Sequence, residues 1–198
     1  MSEDNWFTRM LPSFLRGSRT TDTVPVAEPV AEKTSQQNWV VFGSSVQGAS
    51  HVRKGLPNQD AIEWWPRDSQ GPPVILAVAD GHGSSRCFRS DVGSRLAVET
   101  AVQVLREFAD GLPVPANPSV CKHAAEEALP GVLEERWNQA VASHLGENPL
   151  LVDEVRAVEE KEGAAVRTKV ENRPQIAYGC TLLAVLIERS FVLCVQIG

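Results

Sequence analysis

The stretch Val74-Ile75-Leu76-Ala77-Val78-Ala79-Asp80-Gly81-His82-Gly83 constrains this chain more than any other. Its six apolar residues run without a break and stop at an acid. A run of that length, with Val and Ile in it and Pro72-Pro73 before it, reads as a strand buried on both faces. Gly81 and Gly83 end it in a tight turn with accessible backbone. A carboxylate and an imidazole thus stand at the mouth of a buried strand, where core formation gives no reason to put them. A metal or catalytic site is expected at such a place.

Composition narrows the options. The length of 198 residues suits one domain, or one domain with a tail, and 42% hydrophobic residues supply a core. A formal net charge of −6 lacks the basic footprint of a nucleic-acid binder. There is no run of about 18 apolar residues, so no transmembrane segment is expected. Glu3 and Asp4, with no apolar core and cleavage site after them, argue against a secretory signal. Cys87, Cys121, Cys180 and Cys194 form no CxxC pair and no zinc spacing, so they read as reduced thiols in a cytoplasmic protein.

Residues 1–37 read as a flexible N-terminal tail and linker, and 38–198 as the folded domain. Trp6, Phe7, Met10, Leu11, Phe14 and Leu15 fall on one helical stripe, interrupted by Pro12, near Arg9, Arg16 and Arg19, which suits a short packing helix or a disordered segment, or else a docking or membrane-surface segment. Within the domain, Trp39 to Val46 reads as a strand and 47–58 as a loop. Gln59 to Trp65 reads as a second strand, and turn residues at 67–73 make it a hairpin with the 74–79 run. A helix follows, capped by Ser84 or Ser85 and ending near residue 109. Two more helices are expected over 119–128 and 132–145, split at Leu129-Pro130-Gly131, then a short helix over 150–162 and a mobile loop to 173. A strand hairpin from Ala177 to Gly198 closes the chain. Strands, then helices, then strands point to a layered α+β domain rather than a βαβ fold. His123 and His144, on the helices, read as surface residues, and Cys180 reads as core.

Asp60 and Asp80 each sit at an end of an expected strand, with Gly81 and His82 beside the second. Oxygen ligands of this kind favour Mg²⁺ or Mn²⁺ over zinc, and His82 could donate a proton. The plainer alternative is that Asp60 caps a turn and Asp80-Gly81 is a turn dipeptide.

Three motifs in order carry a family resemblance: Asn58-Gln59-Asp60-Ala61, Ala79-Asp80-Gly81-His82-Gly83 and Gly179-Cys180-Thr181-Leu182-Leu183. The sequence resembles the metal-dependent Ser/Thr protein phosphatases (PPM, type 2C). Gly43, Gly48 with Ser50-His51, and Ser90-Asp91-x-Gly93 are similar to a bacterial branch of that family. The resemblance implies an αββα sandwich of two antiparallel sheets flanked by helices, with two Mn²⁺ or Mg²⁺ ions at one end. It implies that Asp80 bridges both metals, that the Gly81 carbonyl binds one of them, and that Asp60 contacts metal directly or through water. His82 matches the proposed general acid. Arg53 and Lys54 are the candidates for the phosphate-binding cation, although Gly55-Leu56-Pro57 alters the family spacing. Arg86 and Arg89 follow the metal loop and read as a solvated first helical turn, or as contacts for a phosphoprotein.

The implied activity is hydrolysis of phosphoserine and phosphothreonine in proteins by metal-activated water, with phosphorylated proteins and a cognate Ser/Thr kinase as partners. The alternative is a pseudophosphatase or regulatory module with the same fold and no turnover. The last strand stops in mid-pattern at Gln196-Ile197-Gly198, where the family continues into further metal-binding aspartates. The expectation is an N-terminal portion of such a domain, incomplete at its C-terminus.

Overall fold

The structure, a computed structural model, describes residues 39–68, 70–113 and 117–198. The tail, its linker and the apolar stripe of residues 6–15 lie outside the described residues. The fold is α+β. A four-stranded antiparallel sheet has the order β2–β4–β5–β6, from β2 (Asp60–Trp65), β4 (Val74–Gly81), β5 (Cys180–Ile187) and β6 (Val192–Ile197). Both expected hairpins are present. A separate two-stranded ladder joins β1 (Trp39–Val40) to β3 (Gln70–Gly71). The expected strand over 39–46 is thus confined to its first two residues. Residues 49–54, expected as loop, form the short helix α1 (Ala49–Lys54), which ends at Gly55 with a φ of 65°. Only glycine takes that left-handed conformation without steric cost.

Register partners in an antiparallel ladder point to the same face. Ile75, Ala77 and Ala79 share one face with Leu182, Ala184 and Leu186. Helix α2 (Ser90–Asp110) lies on it, burying Ala97, Val98, Ala101, Val104, Leu105 and Phe108 at helical spacing, and it starts later than expected, with Arg89 at its N-cap and no side-chain cap from Ser84 or Ser85. The opposite face carries Asp60, Ile62 and Trp64, then Leu76, Val78 and Asp80, then Thr181, Leu183 and Val185. Val78 is 46% exposed and Leu183 45%. The 74–79 run is therefore not buried on both faces as expected. Among the described residues, helices cover only one side of the sheet.

Helix α3 runs unbroken over Pro118–Glu147, capped by the Asn117 side chain, which accepts the Ser119 and Val120 N–H groups. This corrects the expected split at Leu129-Pro130-Gly131. Leu129 and Leu133 flank the proline and are almost fully buried in the main core, while Pro130 itself faces solvent. Packing on both sides of the proline outweighs its lost hydrogen bond. The expected loop after residue 162 is also a helix. Helix α4 (Val152–Glu162) turns at Gly163, with a φ of 89°, into α5 (Ala164–Asn172). Val158 of α4 and Val170 of α5 join Val141, Ala177 and Tyr178 in a second small core. A 3₁₀ turn, Pro174–Tyr178, then leads into β5. Among the described residues, no helix is long and apolar enough to cross a membrane.

Candidate active site

Asp60 opens β2 and Asp80 lies next to the end of β4, and the two are direct register partners. Two carboxylates are thereby held side by side on the open face of the sheet. They border a cleft of about 410 Å³, lined also by Ile62, Val78, Thr181, Leu183 and Gln196. The Asp60 carboxyl is pushed above its ordinary value by partial burial and by the adjacent Asp80 charge, against a smaller opposing pull from His51. A larger cavity of about 590 Å³ lies on the helical side, between Ala97, Leu133, Trp137, Arg173 and Ile197, away from both acids.

The residues just before Asp60 account for its placement. The Gln59 carbonyl accepts the Gly81 N–H at 3.0 Å, and the Gln59 side chain donates to the buried Ser90 hydroxyl at 2.9 Å. Asn58 donates to the Ser45 hydroxyl at 2.8 Å, and that hydroxyl donates to the Asp60 carbonyl at 3.0 Å. The strand end is so tight that a Cβ on Gly81 would lie 2.7 Å from the Gln59 carbonyl oxygen and 2.9 Å from that of Ser90. Both obstacles are backbone, so no side chain can give way. Gly93 is more constrained still, because a Cβ there would lie 1.8 Å from the Tyr178 carbonyl oxygen. The absence of a side chain at Gly93 lets α2 press against the turn that leads into β5.

His82 follows the strand end. Its N–H donates to the Gly179 carbonyl at 3.0 Å, and its ring packs over Gly179, whose Cβ position is 3.0 Å from Nδ1. The ring is exposed and is not in the lining of the Asp60–Asp80 cleft. Arg53 and Lys54 are exposed on the last turn of α1, and neither lines that cleft. Cys180 is half-buried, and burial, with Cys87 and Asp80 nearby, pushes its thiol up to about 11. It is a protonated packing residue and a poor nucleophile.

Hard carboxylate oxygens in a facing pair suit a divalent cation such as Mg²⁺ or Mn²⁺. The fit is partial, since no group of three or more His, Cys, Asp or Glu side chains is placed to hold a metal among the described residues.

Arg89 departs most from its sequence reading. It is neither solvated nor turned toward a substrate. Its guanidinium grips Glu154 through two bonds of 3.0 and 2.7 Å, and it also donates to the Tyr178 hydroxyl and to the carbonyls of Asn148 and Pro149. Burial works against its charge, but the Glu154 and Tyr178 bonds prevail and raise its pKa. Burial likewise opposes the Glu154 charge, and the bond from Arg89 outweighs it, so that carboxyl is held below its ordinary value. His144, expected at the surface, is half-buried with Nδ1 2.8 Å from the Tyr178 hydroxyl. An arginine beside a glycine-rich loop carries no sequence mark of its partner 65 residues away.

A comparison with family models matches residues 47–198 to protein phosphatase 2C. No curated protein and no solved structure matches the chain. The matched span takes in α1, the whole four-stranded sheet, the paired aspartates and every helix from α2 to α5, and the chain therefore belongs to the protein phosphatase 2C family.

Proposed function

We propose that the chain carries a metal-dependent phosphatase site acting on phosphoserine and phosphothreonine in proteins. The observation that carries this reading is the pairing of Asp60 with Asp80 in strand register. Two like charges held side by side cost free energy unless a cation joins them, and the raised Asp60 carboxyl reflects that repulsion in part. Asp60, Asp80 and the Gly81 carbonyl would hold Mn²⁺ or Mg²⁺, as a pair of ions. When bound, such ions supply Lewis-acid charge for hydrolysis of a phosphate ester by water.

The other roles belong to this chain's own residues. His82, on the loop leaving Asp80, serves as proton donor to the departing Ser or Thr oxygen. Arg53 and Lys54 are offered for the substrate phosphate, the first through its planar fork and the second as a point charge. The open face of Ile62, Trp64, Val78 and Leu183 is suited to a second sheet, which would complete the αββα sandwich. The thiols without disulfides agree with a cytoplasmic setting, and phosphorylated proteins with their kinase are the proposed partners.

The test combines Mn²⁺ titration by calorimetry with hydrolysis of p-nitrophenyl phosphate and of a phosphothreonine peptide. The wild-type chain is expected to bind Mn²⁺ and to turn over both substrates. Asp80→Asn is expected to lower the rate by about a hundredfold or more, the scale of losing several kcal/mol of metal-supplied stabilisation. Metal binding without turnover would shift the assignment to a pseudophosphatase. No metal uptake, with wild type and Asp80→Asn equally inert, removes the enzyme reading.

A further inference from the structure

Helix α4 reaches the loop between His82 and Arg89 at both of its ends. In its first turn, the Glu154 carboxylate takes the two charge-assisted bonds from Arg89. At its last residue, Glu162 accepts the Arg86 backbone N–H at 2.9 Å, with the Arg86 guanidinium 4.0 Å away. Residues 154 and 162 are separated by about 12 Å of helix at 1.5 Å per residue. Two carboxylates on one rigid helix thus hold the loop at two points.

The loop has two further anchors, and both belong to the segment before β5. His82 N–H donates to Gly179 and Arg89 N–H to Ala177. The same segment is tied to α4 through Arg89, whose Nη1 also donates to the Tyr178 hydroxyl at 2.9 Å. The connection runs from α4, through Arg89 and Arg86, to the backbone that carries Gly81 and His82. Neither Glu154 nor Glu162 lines the Asp60–Asp80 cleft.

We propose that α4 is a clamp on this loop, and that Glu154 and Glu162 are positioning residues that set the metal affinity of the site through Arg89 and Arg86. The metal-affinity half of this inference rests on the metal-dependent reading above. The clamp itself rests only on the hydrogen bonds. Arg89 is the central member because its planar fork makes five bonds, two to the Glu154 carboxylate, two to carbonyls and one to the Tyr178 hydroxyl, more than the three donors of a lysine could make. Residues behind the ligands orient them, and their loss commonly costs about tenfold in metal affinity.

The test uses Glu154→Gln and Glu162→Ala, with Glu160→Gln as a control on the same helix. Glu160 is exposed and pairs only weakly with Arg156. Amide hydrogen exchange is followed by mass spectrometry, and Mn²⁺ affinity by calorimetry. Glu154→Gln and Glu162→Ala are each expected to speed exchange of the His82, Cys87 and Arg89 amides, while the Ala101 and Val104 amides in α2 keep wild-type protection. Mn²⁺ affinity is expected to fall about tenfold in both variants and to hold in the control. Wild-type affinity in both folded variants, or unchanged loop exchange, overturns the proposal. If the wild-type chain takes up no Mn²⁺, the functional reading fails, and the exchange comparison decides the clamp by itself. Should Glu154→Gln lose its fold, Glu162→Ala at the more open end carries the same comparison.

Discussion

Asp60 and Asp80 are where the chemistry of single residues is most visible. Each is an acid at a strand end, and only the ladder makes them a pair. Because the folded Asp60 carboxyl is raised above its ordinary value, the folded state binds its proton more tightly than the unfolded chain does. Stability therefore falls as pH rises through the carboxylate range, and the ionised Asp60 carboxylate opposes folding at neutral pH. Asp60→Asn is expected to raise the melting temperature of the metal-free chain at pH 7. The gain should fade as pH is lowered through that range, and melting curves across the series check it. Addition of Mn²⁺ should reverse the order and favour the wild type. Gly81 and Gly93 sit at the same scale. Their necessity was not legible as geometry in the sequence, because the atoms that forbid a side chain come from Gln59, Ser90 and Tyr178.

Elements were read most accurately where hydrophobic period was strong and least where a breaker met a core. The β4–β5–β6 strands and the C-terminal end of α2 follow their patterns to within a few residues, whereas α2 starts at Ser90 rather than after Ser84 or Ser85. Pro130 stands inside α3 because Leu129 and Leu133 are needed on the same buried stripe. The proline still withholds a backbone N–H from the ladder. Proline in a helix interior costs about 3 kcal/mol, offset by up to about 1 kcal/mol from a stiffer unfolded chain. Pro130→Ala is accordingly expected to stabilise the chain by about 2 kcal/mol in urea denaturation, with no loss of helical circular dichroism. Helix α5 was missed for the opposite reason. Its sequence is polar, and its one fully buried side chain, Val170, finds partners only in Val141, Val158 and Tyr178.

At the scale of the whole molecule, one sheet has two unequal faces. Alternate residues of the same strand consequently differ in how they tolerate change. Leu183, on the open face, is half exposed, whereas its neighbour Ala184 is fully buried against α2. Leu183→Lys is expected to change stability by no more than about 0.5 kcal/mol. Ala184→Leu is expected to cost about 1–3 kcal/mol through overpacking. Chemical denaturation of the two variants checks the assignment of faces, and equal costs would contradict it. The layout also explains the position of the paired acids. They lie on the uncovered side, at the sheet end where Gly81, His82 and the clamped loop leave β4.

Periodicity and motif order were local properties, so the sequence alone determined the α+β class, the two hairpins, the long helix after the acid and the family resemblance. The pairing of Asp60 with Asp80 was legible as far as the hairpin, since a two-residue period puts hairpin partners on one face. Tertiary structure alone decided the rest. The continuity of α3 through Pro130, the second helix after Gly163 and the burial of Arg89 against Glu154 depend on residues far apart in the chain. Contacts of that kind leave no period to read, because their energy comes from desolvation and from hydrogen bonds that exist only once the chain has closed.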